Sequence, residues 1–362
     1  MQTVIGIDVG WSESTPSCSI AVNQNILPSE WGPERFTVRK GSDAVWCSTV
    51  QLSDAVGWLM DCRVVGQLDK AIVVIDGPVS HTGPPRPTNR WVDERCQSGQ
   101  FQNRCVAAPL NGGDGQPFIV ATYLLTFAAA ATMKGPQYRL HPAIDWGIAG
   151  PQIFETNPTV GLGLLLPLAN PAVLPSRHSG SRLHSATKQT CRAKSDWYWV
   201  EGGGHRVAEV IGAGKISETK SHQKRAAWFA LAVGFQIAGI AADGSKPDWI
   251  GNPSEGIYNL LSPIHNDWLN AVASAKHPVG TGPNSKEISQ SPPSGTCSTE
   301  NCLLSGQPFD EKRCPFCDQL KQDQTTWAGI DSHFHYTCPE QPHKRMNFAD
   351  FKKQICQKHW RR

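Results

Sequence analysis

The stretch Thr3–Val22, TVIGIDVGWSESTPSCSIAV, decides how the rest of this chain is read. Its first half is a buried-type apolar strand that ends on a carboxylate, Asp8. Gly10 and a run of small polar residues follow. A second apolar segment, CSIAVN, then returns as an antiparallel partner would. A strand that delivers an acid into a glycine turn places that acid where ligands approach an α/β sheet, at the carboxyl end of the strand.

Working outward, ERFTVRK reads as a third early strand and SDAVGWLMDCRVVGQL has helical spacing. KAIVVIDGP is a continuous apolar run ending in Asp76-Gly77-Pro78, the pattern of a central strand covered on both faces. Further on come a helix around RWVDERCQSG, an apolar helix from Ile119 to Met133, and a strand, QIFETNP, that carries Glu155. A helix from about Lys224 to Ala242 closes the unit. Three antiparallel strands followed by alternating helices and strands predict an α/β fold, a mixed sheet flanked by helices in the RNase H-like order. The actin-like kinase fold shares much of that order.

Bulk properties narrow the function classes. The 362 residues, 39% of them hydrophobic and 13 of them Trp, suffice for a large core, and a net charge of +3 does not by itself announce a nucleic-acid partner. The longest apolar runs, 119–133 and 226–242, fall short of the ~18 residues of a membrane span. The N-terminus starts in a strand pattern with no basic leader, so a cytoplasmic location is expected. In that setting twelve Cys point to reduced thiols and metal binding rather than disulfides.

Two segments interrupt the pattern. Residues 173–196 carry five Lys or Arg before their first acid and read as a basic insertion. Residues 275–296 have linker composition. The expected division is therefore an RNase H-like domain over 1–274, a linker, and a small module over 297–362. That module is too short for a core of its own and holds six of the twelve Cys.

Asp8, Asp76 and Glu155 each end a predicted strand. If those strands lie parallel and adjacent, the three carboxylates converge, and their repulsion calls for Mg²⁺ or Mn²⁺. Such ions activate water and stabilise a leaving oxygen in phosphodiester hydrolysis. The competing explanation for each acid is a turn or helix cap.

The motifs IGIDVGW, VVIDGPVS, RWVDERCQSG, IFETNPT, KRAAWFALAV and IGNPSEG stand in an order that resembles an uncharacterised RNase H-like family, domain of unknown function four-two-nine. The resemblance covers about residues 3–260. It implies an RNase H-like fold and metal-dependent nuclease activity, with Asp8, Asp76 and Glu155 as metal ligands and Arg90, Asp93 and Arg95 as polar neighbours. One departure stands out. Where the family often places an acid at the start of the last helix, this chain has Lys224 and Arg225. Lys224 then enters as a phosphate-stabilising candidate in the catalytic set, and a one-metal or inactive site is admitted. The alternatives are a non-catalytic nucleic-acid- or partner-binding protein on a decayed core and, third, an actin-like sugar kinase whose second turn and glycine motif would be IDGPVS and VEGGGH.

In the tail, Cys314-x2-Cys317 followed by His333-x4-Cys338 gives a four-ligand set with Zn²⁺ spacing, His343 being the alternative to Cys338. Cys297, Cys302, Cys356 and His359 belong to a second site or stand aside. An HNH-type nuclease is a minor alternative. The last twenty residues, with seven Lys or Arg against one Asp, read as a basic helix. Arg177, Arg182, Lys188, Lys352 and Lys353 are the candidate phosphate contacts, as against a merely solvated face.

Overall fold

The structure is a computed structural model that describes residues 2–10, 12, 15–38, 43–61, 71–79, 91–96, 101, 118, 121–122, 124–126, 128–129, 152–167, 194–252, 256–276, 335–338 and 341–347. Eight strands form one mixed sheet: β1 (Val4–Asp8), β2 (Cys18–Val22), β3 (Glu34–Thr37), β4 (Ala44–Val50), β5 (Ile72–Asp76), β6 (Gln152–Thr156), β7 (Asp248–Asn252) and β8 (Gly256–Leu260). Their order across the sheet is β3-β4-β2-β1-β5-β6-β8-β7. The β3-β4-β2-β1 half is antiparallel, β1, β5, β6 and β8 run parallel, and β7 closes the far edge antiparallel to β8. The expected α/β class and mixed sheet are therefore present.

Why the centre is so apolar follows from its coverage. All five residues of β1 and all five of β2 are buried, as are Ile72, Val73, Val74 and Ile75 of β5. Strands covered on both faces lose the alternation of half-exposed ones.

Helix α5 (His222–Ile237) lies directly on one face. A Cβ built on Gly6 would stand 2.3 Å from the Leu231 nitrogen and 2.4 Å from the Ala227 carbonyl oxygen. Glycine here lets helix and strand backbones touch. At the other end of β1, a Cβ on Gly234 would meet Val4 Cγ1 at 2.4 Å. The helix therefore runs antiparallel to β1, and its first turn sits at the Asp8 end. Trp228, Phe229 and Leu231 are fully buried along it, each contributing about 2–3 kcal/mol of apolar burial. Ser221 caps its start, accepting from the Lys224 N–H at 3.4 Å. It stops earlier than the spacing predicts, because Gly239 turns left-handed at φ 68° and its N–H returns to Gln236 O.

Further α-helices are α1 (Leu52–Asp61), α2 (Trp91–Cys96), α3 (Pro158–Leu164), α4 (Gly204–Ile211) and α6 (Leu269–Lys276). Residues 121–122, 124–126 and 128–129 are helical too, within the apolar run that was read as a helix. The IFETNPT motif is a strand-to-helix junction: Asn157 Oδ1 accepts from the Val160 N–H at 3.1 Å, and Pro158 opens α3.

Several expectations change. β4 separates β2 from β3, so ERFTVRK supplies a short edge strand rather than the neighbour of β2. Residues 194–196 are helical, with Lys194 and Ser195 buried, so the end of the supposed insertion belongs to the core. α6 runs to Lys276, past the expected domain boundary. In the tail, β9 (His335–Cys338) pairs antiparallel with β10 (Gln341–Asn347). The first residues of the basic helix expected from His343 are therefore a strand, where pairing with β9 satisfies the backbone.

Candidate functional site

Parity along the strands decides which side chains meet. Residues directly opposite one another in a sheet share a face, and successive residues alternate. The register sets Asp8 opposite Asp76, and Asp76 opposite Thr156. Glu155 is opposite Ile75. It sits one step back, on the other face, with its side chain buried. Two of the three predicted carboxylates are thus side by side, at roughly the 4.8 Å strand spacing, and the third is not in their row.

The row itself is longer than the sequence suggested. Thr49, Ser19, Asp8, Asp76, Thr156 and Asn259 stand at one level on six consecutive strands. Its outer members look after one another. Ser19 and Thr49 share a hydroxyl hydrogen bond of 2.7 Å. Thr156 Oγ1 donates to the Asn259 carbonyl at 2.6 Å, and Asn259 Nδ2 donates to the Glu155 carbonyl at 2.9 Å. The two acids in the middle have no hydrogen-bond donor or cation among the described residues. Counting alternation outward from Asp8 would have found Ser19; the other partners depend on pairings that no local pattern encodes.

The electrostatics follow. Asp8 is 9% exposed. Burial, and then the neighbouring Asp76 charge, raise its pKa well above the ordinary carboxylate value. Asp76, half-buried, is pushed up to about 8 by burial and then by the charge of Glu155. Glu155 thus acts on Asp76 through its field although it lies outside the row.

The turn after Asp8 is built to close. A Cβ on Gly10 would lie 2.1 Å from the Ser17 carbonyl. Gly10 N–H instead reaches the Cys18 thiol, whose pKa burial pushes up to about 12. Ser12 N–H donates to Ser17 Oγ at 3.0 Å. Cys18 is thus a buried thiol tied to the turn that follows Asp8.

Lys224 does not turn to the carboxylates. Its Nζ is 2.6 Å from Glu34 Oε1 on edge strand β3. Arg225 bonds Asp196 Oδ1 at 2.8 Å and the Thr219 carbonyl at 2.6 Å, and lies 5.8 Å from the Trp199 ring centroid. His222 Nδ1 is 3.2 Å from the same Asp196 oxygen. Burial would raise the Asp196 pKa, but bonds and charges from His222 and Arg225 outweigh it and lower it. Asp93 on α2 accepts from the Tyr258 hydroxyl, a buried contact on the Glu155 face. Of the glycines of VEGGGH, Gly203 and Gly204 lie in helical backbone against Leu162, Tyr198 and Trp199, and Gly202, at φ 142°, forms the kink between two helical segments near Leu166.

Among the described residues, no group of three or more His, Cys, Asp or Glu is placed to hold a metal ion. The Asp8–Asp76 pair nonetheless fits Mg²⁺ or Mn²⁺ by donor chemistry: hard oxygens, no competing donors, and mutual repulsion that a dication removes. Cys338 stands opposite Gln341 at the end of β9, and His343 falls in the irregular part of β10. Cys314, Cys317, His333, Arg90, Arg177, Arg182, Lys188, Lys352 and Lys353 lie outside the described residues, and of Arg95 only the backbone is described. No described helix is long and apolar enough to cross a membrane. The chain matches no family profile, no curated protein and no solved structure.

Proposed function

We propose that this protein is a divalent-metal-dependent hydrolase of phosphodiester bonds in DNA or RNA, on an RNase H-like core, with a zinc-binding C-terminal module. One observation carries the reading. Two carboxylates stand side by side at the carboxyl end of a central parallel pair, without donor or counter-charge among the described residues. Elsewhere in a fold such a pair would be a net electrostatic cost. The antiparallel β3-β4-β2-β1 half leading into parallel β1-β5-β6 supports the RNase H-like assignment.

In this reading Asp8 and Asp76 hold the ion, which when bound polarises a phosphoryl oxygen and lowers the pKa of water. Asp8, the buried member, fixes its position, while Asp76 meets solvent and substrate. Glu155 keeps the field at Asp76 negative from behind. Basic residues of 173–196 and of the tail supply phosphate contacts.

A second reading has a specific observation in its favour. Lys224 and Arg225 are both occupied by internal ion pairs, and neither serves the carboxylates. That suits a core that binds nucleic acid or a protein partner without cleaving. Cleavage of single- and double-stranded DNA and RNA with Mg²⁺ or Mn²⁺, in wild type and Asp8→Asn, separates the two. Wild-type protein that binds but cuts nothing, with binding unchanged in the variant, overturns the hydrolase.

A further inference from the structure

Among the described residues, the carboxyl end of the sheet offers a cation two acids and withholds a third. Asp8, nine-tenths buried, and Asp76 are in register and without donors among the described residues. Glu155 faces the other side of the sheet, one register step back. The first turn of α5, which the helix's antiparallel course brings level with Asp8, reads His222-Gln223-Lys224-Arg225 and contains no acid. Among the described residues, the acids that approach this turn are already paired: Glu34 with Lys224, Asp196 with Arg225 and His222.

We infer that Asp8 and Asp76 bind a single divalent ion rather than the pair used in two-metal phosphoryl chemistry, an inference that rests on the metal-dependent reading above. Two carboxylates neutralise one dication. A second, about 4 Å away, would leave two positive charges with no free carboxylate among the described residues to offset them, since Glu155 faces the other side of the sheet and Glu34 and Asp196 are paired with Lys224 and Arg225. A lone ion of this type keeps several waters and completes its shell with substrate phosphate oxygens. It then assists either the attacking or the leaving oxygen, and the other must be served by protein or solvent.

The test counts ions without relying on turnover. The full chain, purified without chelators, is titrated with Mn²⁺ and followed by electron paramagnetic resonance, in wild type, Asp8→Asn and Asp76→Asn. The expected result is one bound Mn²⁺ per chain lost in either variant, with a magnetically isolated spectrum in wild type. The wild-type spectrum reads coupling even if one variant fails to fold. Loss of two ions, or an exchange-coupled spectrum, overturns the single-ion inference while leaving metal-dependent hydrolysis standing, and would place an acid from outside the described residues at the site. Mn²⁺ binding that is absent, or indifferent to both substitutions, overturns the inference and the proposed function together.

Discussion

Replacing Asp76 with asparagine removes one charge of the carboxylate pair while keeping its shape. The cost of that charge can be worked from the structure. A carboxyl moved from 3.8 to about 8 carries about 1.4 kcal/mol per pH unit, an upper figure of about 6 kcal/mol. Asp76 is only half-buried, and water on its open side screens this to about 2 kcal/mol. The sign is fixed by the raised pKa. The group's contribution to stability is fully present below pH 3.8 and is lost as pH rises towards 8. Without added divalent ions, the variant and wild type should therefore melt alike near pH 4 and diverge above it. By pH 8 the variant should be ahead by about 4–8 °C for a core of this size. Adding Mg²⁺ at pH 8 should close the gap by stabilising wild type alone. Calorimetry from pH 4 to 9 reads all of this. Parallel curves across the whole range would refute the reasoning, because Asp76 would then ionise as freely folded as unfolded.

Gly6→Ala should cost about 2 kcal/mol or more in urea unfolding, since its Cβ would meet helix backbone at 2.3 Å, not a side chain that can swing away. Arg225→Gln should lose about 2 kcal/mol at neutral pH. Because Asp196 is held low by its partners, that gap should narrow as pH falls below 3.8, and a gap independent of pH would remove the ion pair from the argument. Elemental analysis of the purified chain should find about one Zn²⁺, and chelation should perturb residues after about 300 while leaving the core's melting unchanged. In nucleic-acid binding, Lys352→Gln with Lys353→Gln should flatten the dependence of log affinity on log salt by up to about two contacts; an unchanged slope returns this segment to an ordinary solvated face.

Much of the sheet's centre was legible because its signal is local. The runs ending in Asp8 and Asp76 are apolar without alternation, and both of these and the QIFETNP segment are strands where expected. What escaped was relational. β4 inserts between β2 and β3 through pairings across the sheet, which the AVWCSTV sequence does not announce. Glu155 is a strand-terminal acid by eye, yet β6 pairs with β5 so that Glu155 falls one residue off the row, and Thr156 takes the place beside Asp76. Lys224 was placed in the site by its position at a helix start; its angular position on α5 sends it to Glu34 instead. In the tail, pairing with β9 makes residues 343–347 a strand where the charge pattern suits a helix, and the rest of that segment lies outside the described residues.

The short edge strand β3 has a consequence for how this protein behaves in a crowd. An open sheet advertises a row of unsatisfied amides and carbonyls to any passing strand. β3 offers only four residues, of which Glu34, Arg35 and Thr37 are exposed, while Phe36 turns inward onto Trp228 with ring centroids 5.3 Å apart. A strand docking here would gain few backbone bonds and would have to accommodate opposite charges at adjacent positions. The Lys224 tie to Glu34 further anchors the edge to a buried helix, so it cannot easily peel outward to recruit a copy of itself. The eight-stranded sheet thus ends on this side in a strand too short and too charged to seed its own aggregation.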